Sequence, residues 1–221
     1  ENPASFKLIS DRAAVSPGST FRLSVKANMS PGWHIYWINP GETGLPTKIK
    51  WEIPQGCSVS NTYYPVPHRY VQKITENLSM VSHTFEGEAF FTVEVTVPQS
   101  IPVDSELIVS ADVDWQACKE ICTPPTTTIL NISIPVEAED ADSPSAEAIR
   151  AAWQKGQGGS PQIKVSVKKT EKSLQLKGVI PNAVKPPAAD ARFLPSGSGQ
   201  VPAGSQQTIH IEGDVLTLTA P

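Results

Sequence analysis

Two cysteines stand four residues apart in Trp115-Gln116-Ala117-Cys118-Lys119-Glu120-Ile121-Cys122-Thr123-Pro124-Pro125, within a region otherwise rich in strand-forming residues. Such a pair can close on itself. A disulfide needs Cα atoms about 4.4 to 6.8 Å apart, a limit met either across the mouth of a three-residue hairpin loop or along one helical turn. A ring of about five residues stabilises a fold by only roughly 2 kcal/mol, at the low end for disulfides. Scaffolding is therefore a weak reason for the bond, and redox chemistry is the better one. Thiol-disulfide exchange proceeds by in-line attack of a thiolate on a disulfide sulfur, which requires an accessible sulfur and a nearby second thiol. The neighbouring charges oppose one another: Lys119 favours a thiolate, whereas Glu120, Asp112 and Asp114 disfavour it. A thiol kept mostly protonated would resist stray oxidation until a partner activated it.

The chain contains 3 cysteines, so one thiol is left over if a pair forms in an oxidising compartment. Cys57, in Pro54-Gln55-Gly56-Cys57-Ser58-Val59, is the expected leftover and reads as inert packing where a turn runs into a strand. No second cysteine pair or paired histidines supply the four ligands of structural zinc, and no cofactor is expected. Charged residues make up 18% of the chain and the formal net charge is −4. That leaves no basic field to hold a nucleic-acid backbone or an anionic membrane surface. No apolar run approaches the length that spans a bilayer, and the start lacks the basic and apolar regions of a signal peptide. The expectation is a soluble chain, either mature or excised from something longer.

The pair must be positioned by strands. Pro (21) and Gly (14) are set among short β-branched and aromatic runs, as in a turn-rich all-β sandwich. The expected strands are Ser5 to Ile9, Thr20 to Ala27, His34 to Ile38, Thr47 to Ile53, Ser58 to Tyr64, Ala89 to Val97, Glu106 to Trp115 and Thr127 to Ile134. Strict alternation in Phe21, Leu23, Val25, Ala27 and in Phe91, Val93, Val95, Val97 marks half-buried strands. His68 to Phe85 is polar and irregular, and reads as a long functional connection or lid. The acidic Glu137 to Asp142 reads as a linker. Ser143-Pro144-Ser145-Ala146-Glu147 starts a helix that presents Ile149, Ala152 and Trp153 on one face and ends by Gly156. Strands return at Gln162 to Val167, Ser173 to Val179, Ala191 to Leu194, Thr208 to Ile211 and Val215 to Leu218, around a flexible excursion from Pro195 to Ser205. His210 falls in an alternating strand and reads as a surface residue. The expected division is thus residues 1–138, a linker with a short helix over 139–160, and a second, smaller β domain over 161–221. The last residues stop in mid-pattern, which leads us to expect a longer natural polypeptide.

The block Pro31-Gly32-Trp33-His34-Ile35-Tyr36-Trp37-Ile38-Asn39-Pro40-Gly41-Glu42-Thr43-Gly44-Leu45-Pro46, with Tyr64-Pro65-Val66-Pro67 and Trp115 through Pro124, resembles the periplasmic N-terminal domain of the DsbD and ScsB thiol:disulfide interchange proteins. The similarity covers about residues 5 to 138. Three residues between the cysteines and a second β region bring the chain closer to ScsB, since the cysteines of typical DsbD stand further apart. The resemblance implies an immunoglobulin-like β-sandwich carrying a redox pair, attached to a membrane-embedded domain and handing electrons to periplasmic thioredoxin-fold partners. It assigns Cys122 to the mixed disulfide with the partner and Cys118 to its resolution. It also implies a cap near Lys73 to His83, with Leu78 or Met80 as the apolar cover and Glu76 beside them, although the aromatic cap residue of DsbD is lacking.

Around the pair, Trp115 reads as core or rim packing and as a candidate partner contact. Pro124 and Pro125 read as a block to ladder extension that could also shape the partner-facing surface. Trp33, Tyr36 and Trp37 read as structural, and His34 as structural with a lesser claim to a functional surface. Asn28-Met29-Ser30, Asn77-Leu78-Ser79 and Asn131-Ile132-Ser133 match the N-glycosylation pattern, which a bacterial periplasmic origin would leave unused. Two other functions compete with exchange. One is a Cu(I) or copper-tolerance module in which both thiolates and Met80 or His83 hold the ion; the other is a scaffold whose disulfide staples a hairpin.

Overall fold

The computed structural model describes residues 2–156, 164–170, 173–180, 192–197 and 201–220. The elements of its first part are β1 (Ala4–Ser10), β2 (Arg12–Ala14), β3 (Thr20–Met29), β4 (His34–Gly41), β5 (Lys48–Glu52), β6 (Ser58–Val59), β7 (His68–Lys73), β8 (Ser79–Glu86), β9 (Glu88–Thr96), β10 (Glu106–Trp115), β11 (Ala117–Cys118), β12 (Thr126–Pro135), β13 (Ala141–Asp142) and α1 (Ala146–Lys155). Strands β14 (Val165–Lys169), β15 (Leu174–Val179), β16 (Thr208–Glu212) and β17 (Val215–Ala220) follow.

The alternation in β3 and β9 becomes a ladder in which Phe21 faces Val95, Leu23 faces Val93 and Val25 faces Phe91. All six side chains are buried, and each stabilises the fold by about 1.5–3 kcal/mol relative to exposure. These strands are the centre of the sheet β1-β3-β9-β6. The sheet β12-β10-β5 contributes Leu107, Val109, Ala111 and Val113 to the core, while Ile108 stays outside. Phe6 of β1 meets Trp115 of β10 with ring centroids 5.0 Å apart, so the two antiparallel sheets pack as a sandwich.

Helix α1 covers the outer face of β3 and β9. Ile149 is fully buried, and the Trp153 ring lies 4.5 Å from Tyr63 and 4.6 Å beneath the Arg22 guanidinium. The residue at its N-cap, Ser145, makes no side-chain cap bond. Instead Ser143 Oγ accepts the Ser145 N–H at 3.0 Å and donates to the Ser10 carbonyl. The acidic stretch before the helix is exposed, yet it is tied down. Asp140 accepts the Ser16 N–H at 2.7 Å, Asp142 pairs with Arg12 and Arg150, and β13 pairs with β2.

The largest departure from expectation is His68 to Phe85, which is not an irregular connection. It forms β7 and β8 about a turn in which the Ile74 N–H donates to the Leu78 carbonyl, and both strands join the sheet β11-β4-β8-β7. Val81 through Phe85 are all buried. A strand covered on both faces shows no alternation, and here the enclosed residues include Ser82, His83 and Thr84, so composition disguises it. Ser82 meets the Thr43 hydroxyl at 2.6 Å, and His83 Nδ1 meets the Asn39 carbonyl at 3.0 Å. The strand expected over Ser58 to Tyr64 is shorter: β6 ends at Val59, and Tyr63 rejoins β9 as a bridge to Thr92.

The chain divides into two compact units. One comprises Glu1–Pro40, Gly44–Tyr70 and His83–Ser160; the other comprises Gly41–Thr43, Val71–Ser82 and Pro161–Pro221. The second contains an antiparallel sheet ordered β14-β15-β17-β16, with a small core of Leu176, Val201, Leu218 and Ala220. Residues 192–194 are not a strand. The side-chain amide of Gln207 bonds both the N–H and the carbonyl of Phe193, at 2.8 and 2.9 Å, in place of a ladder. Ala191, Gln162 and Ile163 of the expected strands lie outside the described residues, as do positions 198–200 of the excursion, whereas Val201 is buried.

Candidate functional site

The β10–β12 ladder ends where Trp115 faces Thr126, and the ten residues between them turn away to form the redox loop. Pro124 and Pro125 immediately precede β12 and have no N–H to extend its pairing. On the other side β11 pairs antiparallel with β4, placing Ala117 opposite Ile35 and Cys118 opposite His34. The loop then doubles back, so that Cys118 and Cys122 face each other as an antiparallel bridge. Of the two geometries open at this spacing, the fold adopts the hairpin.

Cys118 and Cys122 form a disulfide with Cα atoms 4.0 Å apart, slightly closer than the usual range of about 4.4 to 6.8 Å. Their environments differ. Cys118 is 4% exposed, whereas Cys122 is open to solvent. The hairpin is held below the bond by the Thr123 N–H, which donates to the Ala117 carbonyl at 2.8 Å. The Thr123 hydroxyl accepts the Ala117 N–H at 3.3 Å. Gln116 anchors it from the side: Nε2 donates to the Thr123 carbonyl at 2.9 Å, and Oε1 accepts the Leu45 N–H at 3.1 Å. Ile121, at 82% exposed, projects an apolar side chain beside the accessible sulfur.

The aromatic block forms the wall behind the pair. His34 and Tyr36 are two residues apart on β4, so they share one face, and their rings meet edge to face at 5.3 Å. The Tyr36 hydroxyl lies 3.8 Å from Cys122 Sγ, within reach of a weak hydrogen bond to sulfur. Tyr70 of β7 packs on the His34 ring with centroids 4.7 Å apart. Burial pushes the His34 imidazole below its ordinary pKa, partly offset by the Glu86 carboxylate, which keeps the ring neutral near pH 7.

Two glycines make this arrangement possible. Gly44 has φ +81°, and a Cβ there would lie 2.1 Å from Tyr36 Cζ; Gly32 has φ +80°, and a Cβ there would meet Lys119 Cε at 3.0 Å. Both backbones occupy the left-handed region where side chains are strained. The ring of Tyr36 and the stem of Lys119 fill the space left open.

The residues singled out from the sequence fall in different places. Trp115 is buried, donates from Nε1 to Thr128 Oγ1 at 2.9 Å and packs on Phe6. Part of it lines an open cleft of about 270 Å³ with Leu45, Pro46, Asp114, Pro125 and Thr127. Pro124 is exposed beside the hairpin. Leu78 and Met80 belong to the second compact unit, Leu78 at 50% exposed on the β7–β8 turn. His83 is buried, with its ring against Trp37 at 5.8 Å and Nδ1 on the Asn39 carbonyl. Among the described residues no group of three or more His, Cys, Asp or Glu is disposed to hold a metal ion. Cys57 is half-buried, and burial pushes its thiol up. The sequence reading took Tyr36 as structural and did not single out Tyr70 or Gln116; the alternation of His34 and Tyr36 along the strand expected over His34 to Ile38 was the available signal for Tyr36.

No curated protein sequence matches the chain. Its fold resembles that of the N-terminal periplasmic domain of ScsB from Proteus mirabilis, at 18% identity and a TM-score of 0.52 over 99% of this chain and 79% of that one. The reduced N-terminal domain of DsbD from Neisseria meningitidis matches at 15% identity and a TM-score of 0.31, over 57% of this chain and 84% of that one. The family model for the N-terminal part of the thiol:disulfide interchange protein DsbD matches residues 6–134, the stretch that holds the sandwich, the aromatic wall and the disulfide hairpin. This chain belongs to the family of DsbD N-terminal domains, and its immunoglobulin-like sandwich is a thiol-disulfide interchange domain.

Proposed function

We propose that this domain relays reducing equivalents from a membrane-embedded domain of the same polypeptide to periplasmic thioredoxin-fold proteins by cycling Cys118 and Cys122 between dithiol and disulfide. What supports the assignment of roles is the asymmetry of the pair: Cys122 is exposed and Cys118 is buried behind it. An incoming sulfur can approach only the exposed one, and the buried thiol is placed to displace the partner. In the reducing direction the Cys122 thiolate attacks a partner disulfide and one partner sulfur leaves as a thiolate. Cys118 then attacks Cys122 Sγ, the second partner sulfur leaves, and the partner has gained two electrons while the pair is oxidised. Ile121 and Pro124, both exposed and close to Cys122 in the chain, would offer a docking partner an apolar contact, and the same reading keeps Trp115 as a candidate contact through its small exposed rim. The same reading gives Leu78 and Met80 a covering role when no partner is bound, and alanine at both positions is expected to speed alkylation of the reduced pair.

The test is trapping. Cys118→Ser should accumulate a mixed disulfide with an oxidised thioredoxin-fold substrate, Cys122→Ser should not, and Cys57→Ser should behave as the unmutated protein. Equal trapping by the two pair variants would refute the assignment. Equilibration with glutathione should place the pair within the roughly −180 to −270 mV range of exchange proteins; a value well below about −300 mV would mark a structural disulfide.

A further inference from the structure

Exchange at Cys122 leaves a chemical problem at Cys118. The thiolate is the nucleophile, and an ordinary thiol with a pKa of about 8.5 is mostly protonated at neutral pH. Cys118 is 4% exposed, so water has little access to take its proton. The sulfur that must ionise to resolve the mixed disulfide is thus the one shielded from solvent.

Granted the exchange reading above, the geometry points to His34 as the proton acceptor for Cys118. The β11–β4 register sets the two residues directly opposite each other, and side chains so placed share one face with Cβ atoms about 4.5–5.5 Å apart. His34 is itself 4% exposed. Its ring is fixed by Tyr36 at 5.3 Å and by Tyr70 at 4.7 Å. The titratable groups around it are Tyr36 on its own strand, Tyr70 from β7, Glu86 from β8 and Cys118 from β11. Burial favours the neutral imidazole, the form with a lone pair free to accept a proton. A base that is neutral at the working pH is what proton abstraction requires.

The step balances as follows. In the mixed disulfide the Cys118 S–H proton passes to an imidazole nitrogen of His34, and the Cys118 thiolate attacks Cys122 Sγ. The bond between Cys122 and the partner sulfur breaks, and that sulfur departs with the electron pair as a thiolate. Cys118 and Cys122 end as the disulfide, the partner is reduced, and the imidazolium proton passes to solvent or to the departing thiolate. Cys122, being exposed, loses its own proton to water without such help.

The experiment uses 5,5′-dithiobis(2-nitrobenzoate) on the reduced Cys57→Ser protein. Attack by Cys122 releases one thionitrobenzoate, and resolution by Cys118 releases a second, as two separable phases. His34→Gln should slow the second phase about 10²-fold near pH 7, the lower end of general-base effects, and slow it far more than the first. The two proteins should converge above about pH 9.5, where thiols ionise unaided. Equal second phases at all pH values, or the same loss at every pH as expected of a packing defect, would overturn the assignment. The unmutated protein gives a second readout that does not depend on the variant folding. Its second phase should level off above the imidazole pKa, and a tenfold rise per pH unit up to the thiol pKa would equally overturn the assignment. Absence of any second release from the unmutated protein would refute exchange itself, and the role of His34 with it.

Discussion

Gly44→Ala should damage the redox site without touching either cysteine, and its cost can be worked out from two separable terms. The backbone at Gly44 has φ +81°, and holding an alanine there costs roughly 1–2 kcal/mol. The added Cβ would lie 2.1, 2.3 and 2.4 Å from three carbons of the Tyr36 ring, far inside van der Waals contact. Tyr36 is 2% exposed and has no open side to retreat into, so overpacking adds about 1–3 kcal/mol. The sum is about 2–5 kcal/mol, or a fall in Tm of roughly 4–20 °C for a chain of this size. Gly87→Ala is the control: φ is +65° and nothing lies within 4 Å of its Cβ, so only the backbone term applies. Denaturant melts of the oxidised proteins give both values, and thionitrobenzoate release reports on the site. Gly44→Ala should lose at least about 1 kcal/mol more than Gly87→Ala and should alter the rate at Cys122, because the displaced ring carries the hydroxyl nearest that sulfur. Equal losses in the two variants would refute the claim that Tyr36 fills the space at Gly44.

Replacing Cys118 and Cys122 together by serine should cost only about 2 kcal/mol relative to the oxidised protein; a loss above about 4 kcal/mol in urea melts would favour a structural staple. Burial lowers the pKa of His34 and His83 from 6.5, with the folded value below the unfolded one. Their contribution to stability is therefore present above about pH 6.5 and lost as pH falls through the folded values, at up to about 1.4 kcal/mol per pH unit for each. His83→Asn should flatten this acid loss in melts between about pH 7.5 and 5, and an unchanged slope would count against the burial argument. Asp11 has the opposite shift: burial raises its pKa above 3.8 against the pull of the Arg22 N–H and guanidinium. The stability linked to its protonated form is present below about pH 3.8 and lost as pH rises through the folded value. Asp11→Asn should therefore be neutral or stabilising at pH 7 and lose that advantage on acidification. A drop of about 3 kcal/mol at pH 7 would show instead that its pairing with Arg22 outweighs desolvation.

The sequence by itself determined the sandwich and the chemistry. Alternation in β3 and β9 is a local property of half-buried strands, and the ladder of Phe21 on Val95 and Leu23 on Val93 follows from it. Cysteines four residues apart announce a closable ring, and proline before Thr126 announces the end of a ladder. What the sequence left open was whatever depends on which surfaces meet. Strand β8 is enclosed on both faces, so Ser82, His83 and Thr84 are buried through partners that no local pattern reveals. The choice of hairpin over helical turn came from pairing between β11 and β4, and that register alone set His34 against Cys118. The difference between the two sulfurs was likewise decided by tertiary structure. Both belong to one short motif, yet Cys118 is covered by the wall of the sandwich while Cys122 faces solvent, because burial is a property of what packs on a residue rather than of its neighbours in the chain.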